Sequence, residues 1–331
     1  MNLPQVRPPR ATERIVVAVP VAIAYGIVLY LVIWHYDYVD VMPFFAGLVA
    51  LPMAVASLVS ALADPRGEKP IGRHVVLAWI VIAVLVVLSM ILFREAGLCV
   101  AMAAPFFMGF SALGSASTIL CIRRWRSRRL PTLAIALPLV LLPADLHLSY
   151  APHEGSVTSV IDIAAPPEVV WRQTVEIPDV RPQELTWTFS HGILGVPQPA
   201  DARLDGEGVG AVRQLRWTRG VHFQEIVTDW RENRLLAWNF RFAPDSVPAA
   251  VEAHIKVDSS YLRIASGFYR LEPLPDGRTR LTLTTRYRIA TPFDLYCDFW
   301  GRLFLGDFHG VVLKLIRARS ERIAGEGRIP A

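Results

Sequence analysis

The stretch "VIDIAAPPEVVW" (Val160–Trp171) decides how this chain is read. "VIDI" is rich in β-branched residues, as strands are. Pro166 and Pro167 stop a strand ladder, and "PEVVW" restarts the chain as a helix. Proline suits a first helical turn, and the nearby Glu168 suits the helix dipole. A new fold therefore begins here, downstream of some 145 residues of a different kind.

The 331 residues are 53% hydrophobic with a mean hydropathy of +0.37, too apolar for an ordinary soluble protein. The excess lies upstream. Residues 1–150 carry 12 Lys/Arg against 7 Asp/Glu, a net of +5, whereas residues 151–331 carry 22 of each. The pI of about 9.3 thus belongs to the apolar half, and nucleic-acid binding by the other half is not expected. The cysteines, Cys99, Cys121 and Cys297, suggest neither a disulfide framework nor a zinc site. No metal or cofactor is expected.

A helix that crosses a bilayer needs roughly 20 apolar residues. Residues 15–34, 42–63, 74–93 and 96–122 reach that length. Residues 131–147, "PTLAIALPLVLLPADLH", are fewer and include Pro131, Pro138 and Pro143. The expectation is a membrane region over residues 1–149 with about five transmembrane helices. The first segment is followed by further spans, so it is expected to stay as an anchor and not to be cleaved as a signal peptide. Arg7, Arg10, Arg14, Arg66, Lys69, Arg73 and "RRWRSRR" (Arg123–Arg129) fall on one side of such a bundle, against Arg94 on the other. That bias puts the amino terminus in the cytoplasm. With five crossings residues 150–331 lie outside the cytoplasm, and with four they lie inside it. "RRWRSRR" could also bind nucleic acid or anionic lipid, but beside two spans it reads as a topology signal. The spans hold no string of Asp, Glu or His such as a transport path needs, so anchoring is the expected role.

From residue 150 onward the pattern changes to period two. In "RLTLTTRYRI" Leu281, Leu283, Tyr287 and Ile289 share one face and the arginines the other. In "LLAWNFRF" Leu236, Trp238, Phe240 and Phe242 share a face. Strands are predicted over 157–163, 208–217, 221–230, 234–242, 264–273 and 279–290, with turns at "TRG", "REN" and "PDG". A long helix is predicted from Pro292 to Ile323, with Phe293, Cys297, Trp300, Phe304, Phe308, Val311 and Leu315 on one face. A sheet cannot close its own concave face, so this helix must lie across it.

The quoted stretch, with "GEGVGAVRQLRW", "QEIVTDWRENRLLAWNF", "LPDGRTRLTLTTRYRI" and the final aromatic helix, resembles the START-like, or SRPBCC, superfamily. This helix-grip group includes polyketide cyclase/dehydrase-like proteins, lipid-transfer domains and the birch-pollen-allergen fold. The resemblance runs through residues 156–323, and the combination with spans in front looks like membrane-anchored bacterial members. It implies an α+β helix-grip domain over 150–331, a curved antiparallel sheet wrapped on the terminal helix, behind an α-helical membrane region. It also implies an inner-membrane protein and a cavity for an apolar small molecule or lipid.

Trp238, Phe240, Phe242, Leu283, Tyr287, Trp300, Phe304 and Phe308 are the residues placed in that cavity by their faces, with plain core packing as the alternative. Arg213 and Glu225 fall near each other on adjacent strands, though not directly opposite. They are either a polar pair for a ligand head group or acid/base work, or a cross-strand ion pair on a wet face. His191, in the loop "FSHGILGVPQP", and His309, on the terminal helix, are further candidate polar groups. No Ser-His-Asp constellation, HExxH, GxSxG or phosphate loop is present. "GEGVG" leads into a strand, where a phosphate cradle needs a helix. Residues 243–261 interrupt the strands as a lid or a long connection. Three functions remain open: a membrane-anchored binding module, a cyclase/dehydrase-type enzyme acting on a bound apolar substrate, and an envelope sensor or assembly protein without a ligand.

Overall fold

The computed structural model describes residues 11–35, 42–93, 97–125, 129–251 and 256–326. Arg7, Arg10, Asp37, Asp40, Arg94, Glu95, Arg126 and Arg128, on which the expected orientation partly rests, lie outside the described residues. The chain divides into two compact units, Met1–Glu95 with Cys99–Ser149, and Ala96–Leu98 with Tyr150–Ala331.

The first unit is helical. Helix α1 spans Ala11–His35. A π-helical turn, Phe45–Ala50, runs into α2, Leu51–Ala63. Helices α3 (Ile71–Leu92), α4 (Gly97–Trp125) and α5 (Arg129–Asp145) follow. Four stretches, Thr12–Ile33, Phe45–Ala63, Ile71–Leu92 and Gly97–Arg124, are long and apolar enough to cross a membrane, and Leu133–Asp145 is apolar but shorter. Ala18, Ala22, Ala56 and Ala78 are buried together with Val55, Val59, Val81 and Ile82. Small residues of this kind let apolar helices approach closely. The outer faces stay apolar, with Val16, Val17, Ile80, Val87, Leu113 and Leu120 exposed. Asp64, His74 and Asp145 are buried at or next to helix ends. Asp64 Oδ2 accepts a hydrogen bond from Lys69 N at 2.7 Å and lies 3.3 Å from His74 Nε2. Asp145 Oδ2 accepts from Ala46 N at 2.9 Å. Asp64 thereby ties the connection before α3, and Asp145 holds the start of the Phe45–Ala50 turn.

The second unit opens with β1, His153–Ile163. Helix α6, Pro167–Val175, starts at the double proline and buries Val170, Trp171 and Thr174. A short helix α7, Phe189–Gly192, precedes β2, Pro199–Asp205. Then come β3 (Val212–Trp217), β4 (His222–Arg231), β5 (Leu235–Arg241), β6 (Leu262–Pro273), β7 (Thr279–Ile289) and the 33-residue α8, Asp294–Glu326. The strands form one seven-stranded antiparallel curved sheet in the order β1-β7-β6-β5-β4-β3-β2. Register shifts between Val227 and Asp229 and between Ile264 and Ser266 are bulges, which bend strands.

Two strand expectations are corrected. Strand β2 was not foreseen, and the strand expected over 208–217 begins only at Val212. Gly206, Gly208 and Gly210 have φ of +86°, +80° and +92°, so this stretch is a glycine loop and not a strand. Of the segment 243–261, expected as a lid or a long connection, residues 252–255 lie outside the described residues. Its first part is a turn closed by Ala243 N donating to Ser246 Oγ at 2.8 Å.

Register fixes which side chains share a face, because directly opposed residues do. Ser159, Leu283, Tyr269 and Leu236 form one inward row; Val157, Thr285, Gly267, Trp238 and Val227 form the next. The inward face packs a core of Ile163, Val170, Trp171, Leu236, Leu281, Leu315 and Ile316. Each such side chain contributes about 1.5–3 kcal/mol by leaving water. Helix α8, about 50 Å long at its length, is fastened beside β1 and β7 at three places. Asp298 meets Tyr287, His309 meets Ser159 and Thr285, and Glu321 Oε1 accepts from Ala164 N at 3.0 Å.

Candidate functional site

The inward face changes character along its length. Toward the end of α8, Val311, Leu313, Leu315 and Ile316 are fully buried. Toward its beginning, Phe293, Cys297, Trp300, Phe304 and Phe308 are only half-buried. The sheet shows the same gradient. Leu236, Trp238, Leu283 and Tyr287 are buried, whereas Phe240, Phe242, Phe223 and Trp217 are half-buried. These half-buried rings form a continuous series: Phe240 lies 6.2 Å from Phe242, Phe242 5.3 Å from Phe223, Phe223 5.8 Å from Trp217, and Trp217 5.1 Å from Phe308 of α8. Trp300 and Phe304 stack on each other at 5.3 Å. The series thus joins four of the anticipated residues, Trp238, Phe240, Phe242 and Phe308, with Trp238 6.1 Å from Phe240. It also adds Trp217 and Phe223. Both were legible from period two, Phe223 two positions from Glu225 and Trp217 four from Arg213.

Arg213 and Glu225 are directly opposed across β3 and β4, not offset as the sequence reading had them. The three-residue turn Thr218–Gly220 is symmetric about Arg219, whose left-handed φ of 61° closes it. Neither residue is on a wet face: Arg213 is 1% and Glu225 4% exposed. Arg213 Nη1 donates to Glu225 Oε2, and its Nε donates to Val175 O of α6 at 2.9 Å. Its guanidinium lies 5.5 Å from the Trp238 ring and 5.9 Å from that of Tyr269, within cation–π range. Burial pushes the Glu225 carboxyl up, to about 7, against the opposing pull of Arg213. Burial also raises the Tyr269 phenol. Trp238 leans over Gly267, where a Cβ would come within 2.7 Å of its ring. Its Nε1 is buried and meets no acceptor among the described residues.

His309 is buried between two hydroxyls, with Nε2 2.9 Å from Thr285 Oγ1 and Nδ1 3.1 Å from Ser159 Oγ. Burial holds its pKa down, at about 4. A third polar group stands near the start of α8. Tyr287 Oη donates to Asp298 Oδ1 at 2.6 Å, and Arg302 Nε donates to Asp298 Oδ2 at 2.7 Å. Burial pushes the Asp298 carboxyl upward, but the bonds from Tyr287 and Arg302 outweigh it and leave it below the usual range. Burial and the Asp298 charge raise Tyr287. His191 is at the far end of the aromatic series, 5.3 Å from Phe308 and stacked on it. Ser159, Tyr269 and Thr285 were missed. Thr285 sits at period two between Leu283 and Tyr287, the signal that would have found it.

Fold and site together define a helix-grip domain in a chain that also carries a region of long apolar helices. No family model matches the chain, and no curated protein matches it. Solved structures do resemble its second half. The Zhui aromatase/cyclase from Streptomyces sp. R1128 is 16% identical, with 54% of this chain and 100% of that one covered and a TM-score of 0.35. Truncated norcoclaurine synthase from Thalictrum flavum is 10% identical, with 52% and 95% covered and a TM-score of 0.33. Ara h 8.0201 is 13% identical, with 51% and 98% covered and a TM-score of 0.31.

Proposed function

We propose that the second unit binds an apolar small molecule, a lipid first of all, between the sheet and α8, and that the apolar helices anchor it in a bilayer. The observation that carries this reading is the gradient along the inward face. One end is closed core, while at the other Phe240, Phe242, Phe223, Trp217 and Phe308 are left half-buried although they point between sheet and helix. Large rings in that position give a ligand apolar area to bury, with few polar groups to orient it. The test is photolabelling of the full chain in lipid nanodiscs with a diazirine-bearing fatty alcohol, followed by peptide mapping. Label within residues 213–242 and 296–308, removed by excess unlabelled alcohol, supports the reading. Label confined to residues 11–145 sinks it and favours a sensor or assembly protein.

A second reading, a cyclase/dehydrase-type enzyme, draws on the Arg213–Glu225 pair. A buried carboxyl with a pKa near 7 beside a fixed cation is the kind of group that serves acid/base chemistry. It requires that a bound ligand leave changed, for dehydration by the loss of one water, and that Glu225→Gln abolish the change while leaving photolabelling in place.

A further inference from the structure

His191 carries an unused hydrogen-bonding atom. The residue is 8% exposed. Nδ1 lies 3.0 Å from Val196 O, and because a carbonyl can only accept, Nδ1 is the donor. Nε2 of the neutral ring is then a bare acceptor. It is buried, and no donor among the described residues reaches it. Buried polar atoms left in this state are rare and invite a functional explanation.

The ring is also held in place. Thr188 caps the short helix, with His191 N donating to its Oγ1 at 3.4 Å. The neighbouring Ser190 donates from both N and Oγ to Asp307 Oδ2, at 2.9 and 2.6 Å. Arg219 Nη1 donates to Gly195 O at 2.9 Å on the other side of the loop. The imidazole therefore stands preorganised against Phe308 and 6.4 Å from Trp217, at the end of the aromatic series.

We infer that the ligand of this site is a neutral apolar alcohol whose hydroxyl donates to His191 Nε2. The inference rests on the binding reading above and narrows it. An ether or hydrocarbon of the same shape brings no donor and leaves Nε2 unmatched. A carboxylate brings a second acceptor, next to the loop that already holds the Asp307 carboxylate. A site built to hydrogen-bond a hydroxyl rejects analogues lacking it more strongly than an apolar pocket does.

The test uses the same photolabelled full chain in nanodiscs, with decanol, decyl methyl ether and decanoate competing for the label. Decanol is expected to compete about tenfold better than the ether, the worth of one buried acceptor satisfied. In His191→Phe, which keeps the ring against Phe308, the two should compete alike. If that variant does not fold, the wild-type ratio decides alone. Equal competition by decanol and ether in wild type overturns the inference while the binding reading stands. Competition led by decanoate overturns it too, since Nε2 would then carry a proton. Absence of label from the second unit removes both.

Discussion

Acidification should weaken the second unit through His309, by an amount the site itself sets. The imidazole is buried between Ser159 and Thr285. Both hydroxyls can donate or accept, so protonation loses no hydrogen bond, and what it costs is the burial of charge. The folded-state value is about 4 against 6.5 for the free group. Between those values the unfolded chain takes up a proton that the folded chain refuses. The stabilisation is therefore complete above 6.5 and is lost as pH falls through about 4. At about 1.36 kcal/mol per pH unit the whole interval is worth about 3 kcal/mol. Glu225 runs the other way: its value is raised to about 7, so its own contribution improves as pH falls through that range. A bare pH profile would mix the two, and the comparison must be with His309→Gln, whose amide can still bridge the hydroxyls. The assay is thermal unfolding of the full chain in detergent, followed by tryptophan fluorescence at about pH 7.5 and about pH 4.5. Wild type should lose roughly 5–10 °C more than the variant over that change, for a unit of this size. Equal losses would refute the reasoning and mean that water reaches His309.

Three further outcomes are expected. Glu225→Leu alone should cost about 3–5 kcal/mol because it strands the buried Arg213 cation, Arg213→Met should cost less because the Glu225 carboxyl can take up a proton, and the double variant should recover much of the loss; additive losses in a thermal double-mutant cycle would show the pair to be independent. Gly267→Ala should cost about 1–3 kcal/mol by overpacking, since its Cβ would come within 2.7 Å of the Trp238 ring, and near-ultraviolet circular dichroism should report the displaced indole. If α5 crosses the bilayer, a reporter fused after Ala331 that works only outside the cytoplasm should be active; silence there, with an active cytoplasmic reporter, would mean four crossings.

Much of this architecture was legible because its signals are dense. Alternation in "RLTLTTRYRI" and "LLAWNFRF" put Leu283, Tyr287, Trp238, Phe240 and Phe242 on the inward side, and register agrees for the first four. Strand β2 was not legible, since "PADARLD" has no β-branched residue and only Ala200, Ala202 and Leu204 to mark a face. It exists because β3 offers it an edge to pair with. The sequence places Arg213 and Glu225 near each other but not directly opposite, and leaves open whether they face the cavity or water. A turn's symmetry and the burial of both partners are tertiary facts. His309 was noticed, but Ser159 lies 150 residues away from it, and no local pattern links them.

The sheet has a temporal consequence. Its first strand in sequence pairs only with its last: Thr158 Oγ1 meets Thr284 Oγ1 across 126 residues. On a ribosome adding about 5–20 residues per second, β1 therefore waits roughly 6–25 s for its partner. The aromatic strands are made one after another during that wait and stay an unclosed sheet until α8 follows β7. The grip helix, made last, is also the lid on that exposure. A pause or truncation before Asp294 would leave the inward aromatic rings of β4 and β5 uncovered, and quality control should recognise such a chain quickly.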